Sequence, residues 1–181
     1  MSLSSLDIDK SWTLFLDRDG VINKKLENDY VKHWIEFEFN EGVLTKFNKL
    51  NQVFGRILVV TNQQGIGKGL YRHEDLELIH KNMQYELSYF KGSIDKVYYS
   101  PYLAAENHPT RKPNTGMALE AKKDFPEIDF TKSIIVGDSL SDMEFGRALG
   151  MTTVFISEKP MTDSKIDFQF RSLALFIDNL Q

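Results

Sequence analysis

Trp12-Thr13-Leu14-Phe15-Leu16-Asp17-Arg18-Asp19-Gly20 is the stretch on which the reading of this chain turns. A short apolar run, too brief for a helix, meets two carboxylates, a guanidinium and a glycine, which together stop a strand. In open α/β sheets ligands sit outside the carboxyl ends of the strands. A strand ending in Asp17 and Asp19 therefore raises a specific question: do later strands also end in polar groups?

They do. Arg56–Val60 is a β-branched run that stops at Thr61 and Asn62, and Ser133–Val136 runs into Gly137-Asp138-Ser139, with Asp142 four residues after Asp138. Arg111-Lys112-Pro113 precedes the expected helix 115–125. Helical spacing of apolar residues is found over 41–50, 74–90, 115–125, 142–149 and 172–180, and strands are expected at 12–16, 56–60, 94–99, 133–136 and 152–156. This alternation, with strands apolar in runs, predicts an α/β fold: a doubly wound parallel sheet with helices on both faces. The connections 21–40 and 100–114 are long for structureless loops and are candidate site loops.

Composition excludes several classes. The 181 residues suit one domain, with residues 1–10 expected as an N-terminal tail and 11–181 as the domain. No cysteine is present, so thiolate metal sites and disulfides are excluded. A net charge of −4 argues against nucleic acid as partner. No apolar run approaches a membrane span, and the first residues lack the features of a signal peptide, so a cytoplasmic location and a monomer are expected.

Asp17, Asp19, Thr61, Lys112 and Asp138 thus gather on one rim. An Asp-x-Asp is weak by itself; Asp7-Ile8-Asp9 is another, with no strand before it, and reads as solvated surface. Order and location together carry the signal. Gly65, Gly67 and Gly69 form neither a P-loop, because Asn62 and Gly69 stand at its fixed positions, nor a dinucleotide fingerprint, which should follow the first strand.

In this order of motifs the chain resembles the haloacid dehalogenase (HAD) superfamily of phosphohydrolases: Asp17-Arg18-Asp19-Gly20, Thr61, Lys112, then Gly137-Asp138 with Asp142. It is most similar to the heptose-bisphosphate and histidinol-phosphate phosphatases, through Asp17–Asn23, Tyr30-Val31, Gly42-Val43, Thr61–Gly69 and Arg111-Lys112-Pro113. The resemblance implies a Mg²⁺-dependent phosphatase acting on a small-molecule phosphate ester, first a sugar bisphosphate, alternatively histidinol phosphate or a generic sugar or polyol phosphate. It implies Asp17 as nucleophile and Asp19 as acid and base, with Asp17, Asp138 and the Asp19 carbonyl as Mg²⁺ ligands. Thr61 and Lys112 would meet the phosphoryl group, Asn62, Gln63 and Arg111 would touch substrate, and Asp142 and Ser139 would stand behind the metal. The chemistry is reasonable: a carboxylate and a phosphate dianion repel by about 8 kcal/mol at ~4 Å and an effective dielectric near 20, so cations must be built in. The Asp17 charge is also expected to favour protonated Asp19 at rest. A phospho-receiver signalling module is the distant alternative, but its acidic pair, phosphorylated Asp, Thr and Lys come in a different order.

Two departures matter. The intervals 17–61 and 61–112 are filled by helices and a strand, so no cap domain is expected. Where relatives of this type hold a zinc with three cysteines and a histidine, this chain has Ser100, Tyr102, His108 and Thr110. No zinc is expected, and His108 reads as an ordinary loop histidine.

Overall fold

The computed structural model describes residues 3–180. Six parallel strands, β1 (Thr13–Leu16), β2 (Arg56–Asn62), β3 (Lys96–Ser100), β4 (Ser133–Gly137), β5 (Thr152–Ile156) and β6 (Phe168–Phe170), form one sheet in the order β3-β2-β1-β4-β5-β6. Helices α1 (Val43–Val53), α2 (His73–Tyr89), α3 (Gly116–Asp124), α4 (Leu140–Leu149) and α5 (Leu173–Asp178) cover it.

The two-residue period of a strand divides the apolar residues between two cores. Leu14, Leu16, Ile57, Val59, Ile134 and Val136 face one way, and α1, α2 and α5 bring Phe47, Ile79 and Phe176 against them. Phe15, Leu58, Val60 and Ile135 face the other way, against Met117 and Ala121 of α3 and Phe145 of α4. Both sheet faces are thus buried, which is why the strands read as unbroken apolar runs rather than alternating ones.

Several boundaries move. The third strand, expected from Ile94, starts at Lys96 because the Asp95 side chain accepts the Ile57 amide at 2.7 Å and ends the ladder there. Helix α1 starts at Val43 because Gly42, at φ 75°, turns the chain into it. The edge strand β6 was not expected; three half-buried residues carry too short a pattern to read. The expected tail packs instead of trailing: Leu3 is buried in the core with Leu6 and Ile8 against it, while Met1, Ser2 and Gln181 lie outside the described residues. No helix among the described residues is long and apolar enough to cross a membrane.

Phe47 is fully buried, and its ring packs so closely on Gly92 that a Cβ there would lie 3.1 Å from it. Phe47→Ala should therefore lower unfolding stability by about 3–5 kcal/mol with an unchanged urea m-value. A loss below ~1 kcal/mol would contradict this packing.

Candidate active site

The strand order places β1 between β2 and β4, so the carboxyl ends of all three open onto one rim. Asp17 follows β1 and its amide donates to the Val136 carbonyl at 2.9 Å, which ties the β1 end to β4. The next residues fold into a tight turn in which the amides of Val21, Ile22 and Asn23 all donate to the Arg18 carbonyl. Gly20 is required there twice over. Its φ is 89°, and an added Cβ would lie 2.2 Å from Asp138 Oδ2.

Lys112 reaches this turn from the loop before α3. Its ammonium is buried, 2.7 Å from the Val60 carbonyl, 3.0 Å from Asp17 Oδ1 and 2.5 Å from Asp142 Oδ1. Burial alone would lower its pKa, but Asp142 and Asp17 outweigh that and push it up to about 12. Asn62 fixes the Lys112 backbone, donating to its carbonyl and accepting its amide, both at 3.0 Å. Asp142 is buried at the start of α4, where its other oxygen accepts the Ser139 amide at 3.0 Å and the Ser139 hydroxyl at 2.6 Å. Asp142 is thus held against the Lys112 ammonium. Gly137 makes room for it, since a Cβ at 137 would lie 2.2 Å from the Asp142 Cβ.

Asp17, Asp138 and Asp142 each offer an oxygen within 4.8 Å of the others. Asp138 Oδ1 is buried with no hydrogen-bond partner, while Lys25 Nζ already sits 2.7 Å from Oδ2. Burial raises the Asp17 pKa to about 7, the neighbouring carboxylates adding to it and Lys112 opposing it. An all-oxygen donor set with an unmatched carboxylate atom suits a hard divalent cation such as Mg²⁺.

Asp19 departs from expectation. Burial would raise its pKa, but the Arg18 guanidinium and hydrogen bonds from Arg18, Asn23 and Gln63 prevail and hold it below the usual carboxylate range. The carboxylate, not the acid, is favoured at rest, because the Arg18 side chain folds back onto it. Gln63 departs too. Rather than standing on the rim to touch substrate, it is buried, donating to Asp19 Oδ2 at 2.8 Å and to Thr61 Oγ1 at 2.9 Å. Its carbonyl accepts the Tyr71 hydroxyl, a contact that turns it inward.

Above these groups lies a cavity of about 480 Å³. Asp17, Asp19, Thr61, Asn62, Lys112 and Asp138 line it, as do Ser139 and Arg111. Sequence reasoning missed Lys25, Lys68 and Tyr30 on the wall; Tyr30 accepts from Lys68 at 2.9 Å and from Gln64 at 2.8 Å. Lys25 had no sequence signal beyond its place in the long loop 21–40, whereas Tyr30 and Lys68 lie in stretches that carry the family resemblance but were given no role.

The loop 100–114 is internally clamped. Tyr102 and His108 stack at 3.4 Å, His108 Nδ1 lies 2.8 Å from Thr110 Oγ1, and Thr110 donates to the Ser100 hydroxyl at 3.2 Å. His108 is thus a packed residue rather than an ordinary loop histidine. Arg111 leaves this clamp and donates to the Tyr102 carbonyl at 3.1 Å.

Comparison with known proteins agrees with this architecture. A family model described as polynucleotide kinase 3 phosphatase matches residues 2–173. The D-glycero-alpha-D-manno-heptose-1,7-bisphosphate 7-phosphatase of Mycobacterium bovis is 41% identical over 133 residues, 74% of this chain and 70% of that protein. The enzyme of the same name from Campylobacter jejuni is 35% identical over 167 residues, 91% of this chain and 92% of that one. The crystal structure of D,D-heptose 1,7-bisphosphate phosphatase from B. bronchiseptica, complexed with magnesium and phosphate, superposes with a TM-score of 0.81 at 24% identity, covering 92% of this chain and 96% of that one. The motif order and the relatives converge: the chain belongs to the HAD superfamily of phosphatases, within its heptose-bisphosphate phosphatase group.

Proposed function

We propose that this enzyme removes the 7-phosphate of a D-glycero-D-manno-heptose 1,7-bisphosphate, with Asp17 as nucleophile. The observation that carries the reading is the Asp17 carboxylate on the cavity floor, held by the buried Lys112 beside the unmatched Oδ1 of Asp138. Asp19, a carboxylate at rest, takes a proton from water as the phosphate dianion binds beside it; Asp17 then attacks phosphorus, the ester bond breaks, and Asp19 passes that proton to the leaving alkoxide. A water then attacks the aspartyl phosphate while Asp19 recovers the proton, and phosphate departs. Lys112, the Thr61 hydroxyl and the Asn62 amide receive the charge on the transferring oxygens. Asp17, Asp138 and the Asp19 carbonyl would hold Mg²⁺, which supplies further positive charge to the phosphoryl group when bound.

The cavity wall supports the bisphosphate. Lys25, Lys68 and Arg111 surround the space above the floor, as a second phosphate requires. Against these three cations the wall carries the one carboxylate of Asp29, an excess that favours a second phosphate over the ammonium of histidinol phosphate. The relatives' names point the same way. A panel of sugar phosphates tests the reading, with kcat/KM expected highest for a heptose 1,7-bisphosphate; preference for histidinol phosphate or a 3′-phosphorylated oligonucleotide would overturn it.

Asp17→Asn should leave a folded protein with no more than a few per cent of wild-type kcat. Retention of substantial turnover, in a preparation free of other phosphatases, would remove Asp17 from its role.

Mg²⁺ should raise the Tm of the apo-protein in a concentration-dependent way, and Asp138→Ala should abolish most of that shift. Full activity after chelation and desalting, with no metal restored, would exclude a metal requirement.

We propose also that the loop 100–114 needs no zinc, its shape being kept by the Ser100–Thr110–His108–Tyr102 contacts. The purified enzyme should carry no stoichiometric zinc, and His108→Ala should cost about 1 kcal/mol through the lost stack and hydrogen bond. One zinc per chain, released by that substitution, would contradict this.

A further inference from the structure

Arg18 has no part in the chemistry above, yet it is among the most deeply buried side chains, with none of its surface exposed. One terminal nitrogen donates to both Asp19 oxygens at 2.9 Å. The other donates to His80 Nε2 at 3.1 Å, while Nε is buried with no partner. His80 comes from α2 and accepts through a neutral ring, since burial and the Arg18 charge push its pKa down to about 3. Gln63, Asn23 and Arg18 thus grip the Asp19 carboxylate, Gln63 at Oδ2 and Asn23 at Oδ1, 2.8 and 2.9 Å away.

Stability does not explain this arrangement. Removing a guanidinium from water costs several kcal/mol, and a buried pair rarely outperforms well-packed apolar side chains. Here one carboxylate serves the cation and a donor is left unmatched. What the arrangement does supply is direction. Asp19 sits in a turn, and its carboxyl is held by one nitrogen of a rigid planar guanidinium whose other terminal nitrogen is anchored to α2.

We propose that Arg18, braced by His80, is a positioning residue that aims the Asp19 carboxyl at the leaving-group oxygen. This rests on Asp19 being the acid–base of the proposed reaction. The Arg18 side chain does not line the cavity and reaches it through the Asp19 carboxylate that it grips.

The leaving group provides the test. p-Nitrophenolate departs without a proton, whereas a sugar alkoxide needs one, so loss of an aimed acid penalises the sugar ester selectively. The parameter is kcat/KM, which reports steps up to leaving-group departure, measured on the Mg²⁺-loaded enzyme with D-glycero-D-manno-heptose 1,7-bisphosphate and with p-nitrophenyl phosphate. Arg18→Met should raise the nitrophenyl-to-heptose ratio by ~10-fold or more, in the direction given by Asp19→Asn. His80→Leu should shift it the same way by a smaller factor, and His80→Gln, whose amide oxygen can accept from Arg18, should restore it towards wild type. Equal losses on both substrates in Arg18→Met would mean a purely structural role and overturn the proposal. Should Arg18→Met not fold, an unchanged ratio in His80→Leu overturns it instead. An unchanged ratio in Asp19→Asn would overturn the acid–base reading itself, a different result from either.

Discussion

The buried ammonium of Lys112 is the constraint around which the site is arranged. A cation without water needs acceptors on every side, and it has the Val60 carbonyl, Asp17 and Asp142. These belong to β2, the end of β1 and the start of α4, so one charge joins three elements that the chain order keeps far apart. Removing one partner from such a buried cluster typically costs about 3–5 kcal/mol, because a charge is left uncompensated. The cluster therefore fixes the Asp17 carboxylate in place before any ligand arrives, which is the preorganisation that phosphoryl chemistry requires.

Two layers follow from this. Beneath the cavity, Arg18, Gln63, Tyr71 and His80 form a buried polar network that joins the cavity floor at Asp19 and Thr61. Above it, Lys25, Lys68 and Arg111 stand on loops at the wall. The lower layer suits fixed geometry and the upper suits capture of an anion. Their separation is consistent with rigid elements carrying reaction and loops carrying selection.

Most of the floor was legible in the sequence because strand ends can be read: Asp17, Thr61 and Asp138 each follow an apolar run, and the sheet order then brings them together. Lys112 and Asp142 were legible as motif members, although only the fold reveals that they pair. Gln63 was misread because one residue along a strand end reverses the direction of a side chain. The protonation expected of Asp19 failed because the guanidinium of its own neighbour folds back onto it, a side-chain direction that no spacing encodes. His80 and Tyr71 sit in the pattern of α2 and its approach and carry no separate signal. The clamp in loop 100–114 was hidden for a related reason: Ser, Thr, Tyr and His are ordinary loop residues until a stack and two hydrogen bonds join them.

Covalent phosphorylation of Asp17 is the step on which the proposed reaction rests. Rapid quenching of enzyme and substrate in acid, followed by borohydride reduction and peptide mass spectrometry, reads it directly, since an acyl phosphate is reduced to an alcohol where a free carboxylate is not. Reduction should be confined to residue 17 and appear within the first turnover. Reduction at another carboxylate, or at none while phosphate is released at the normal rate, would contradict it.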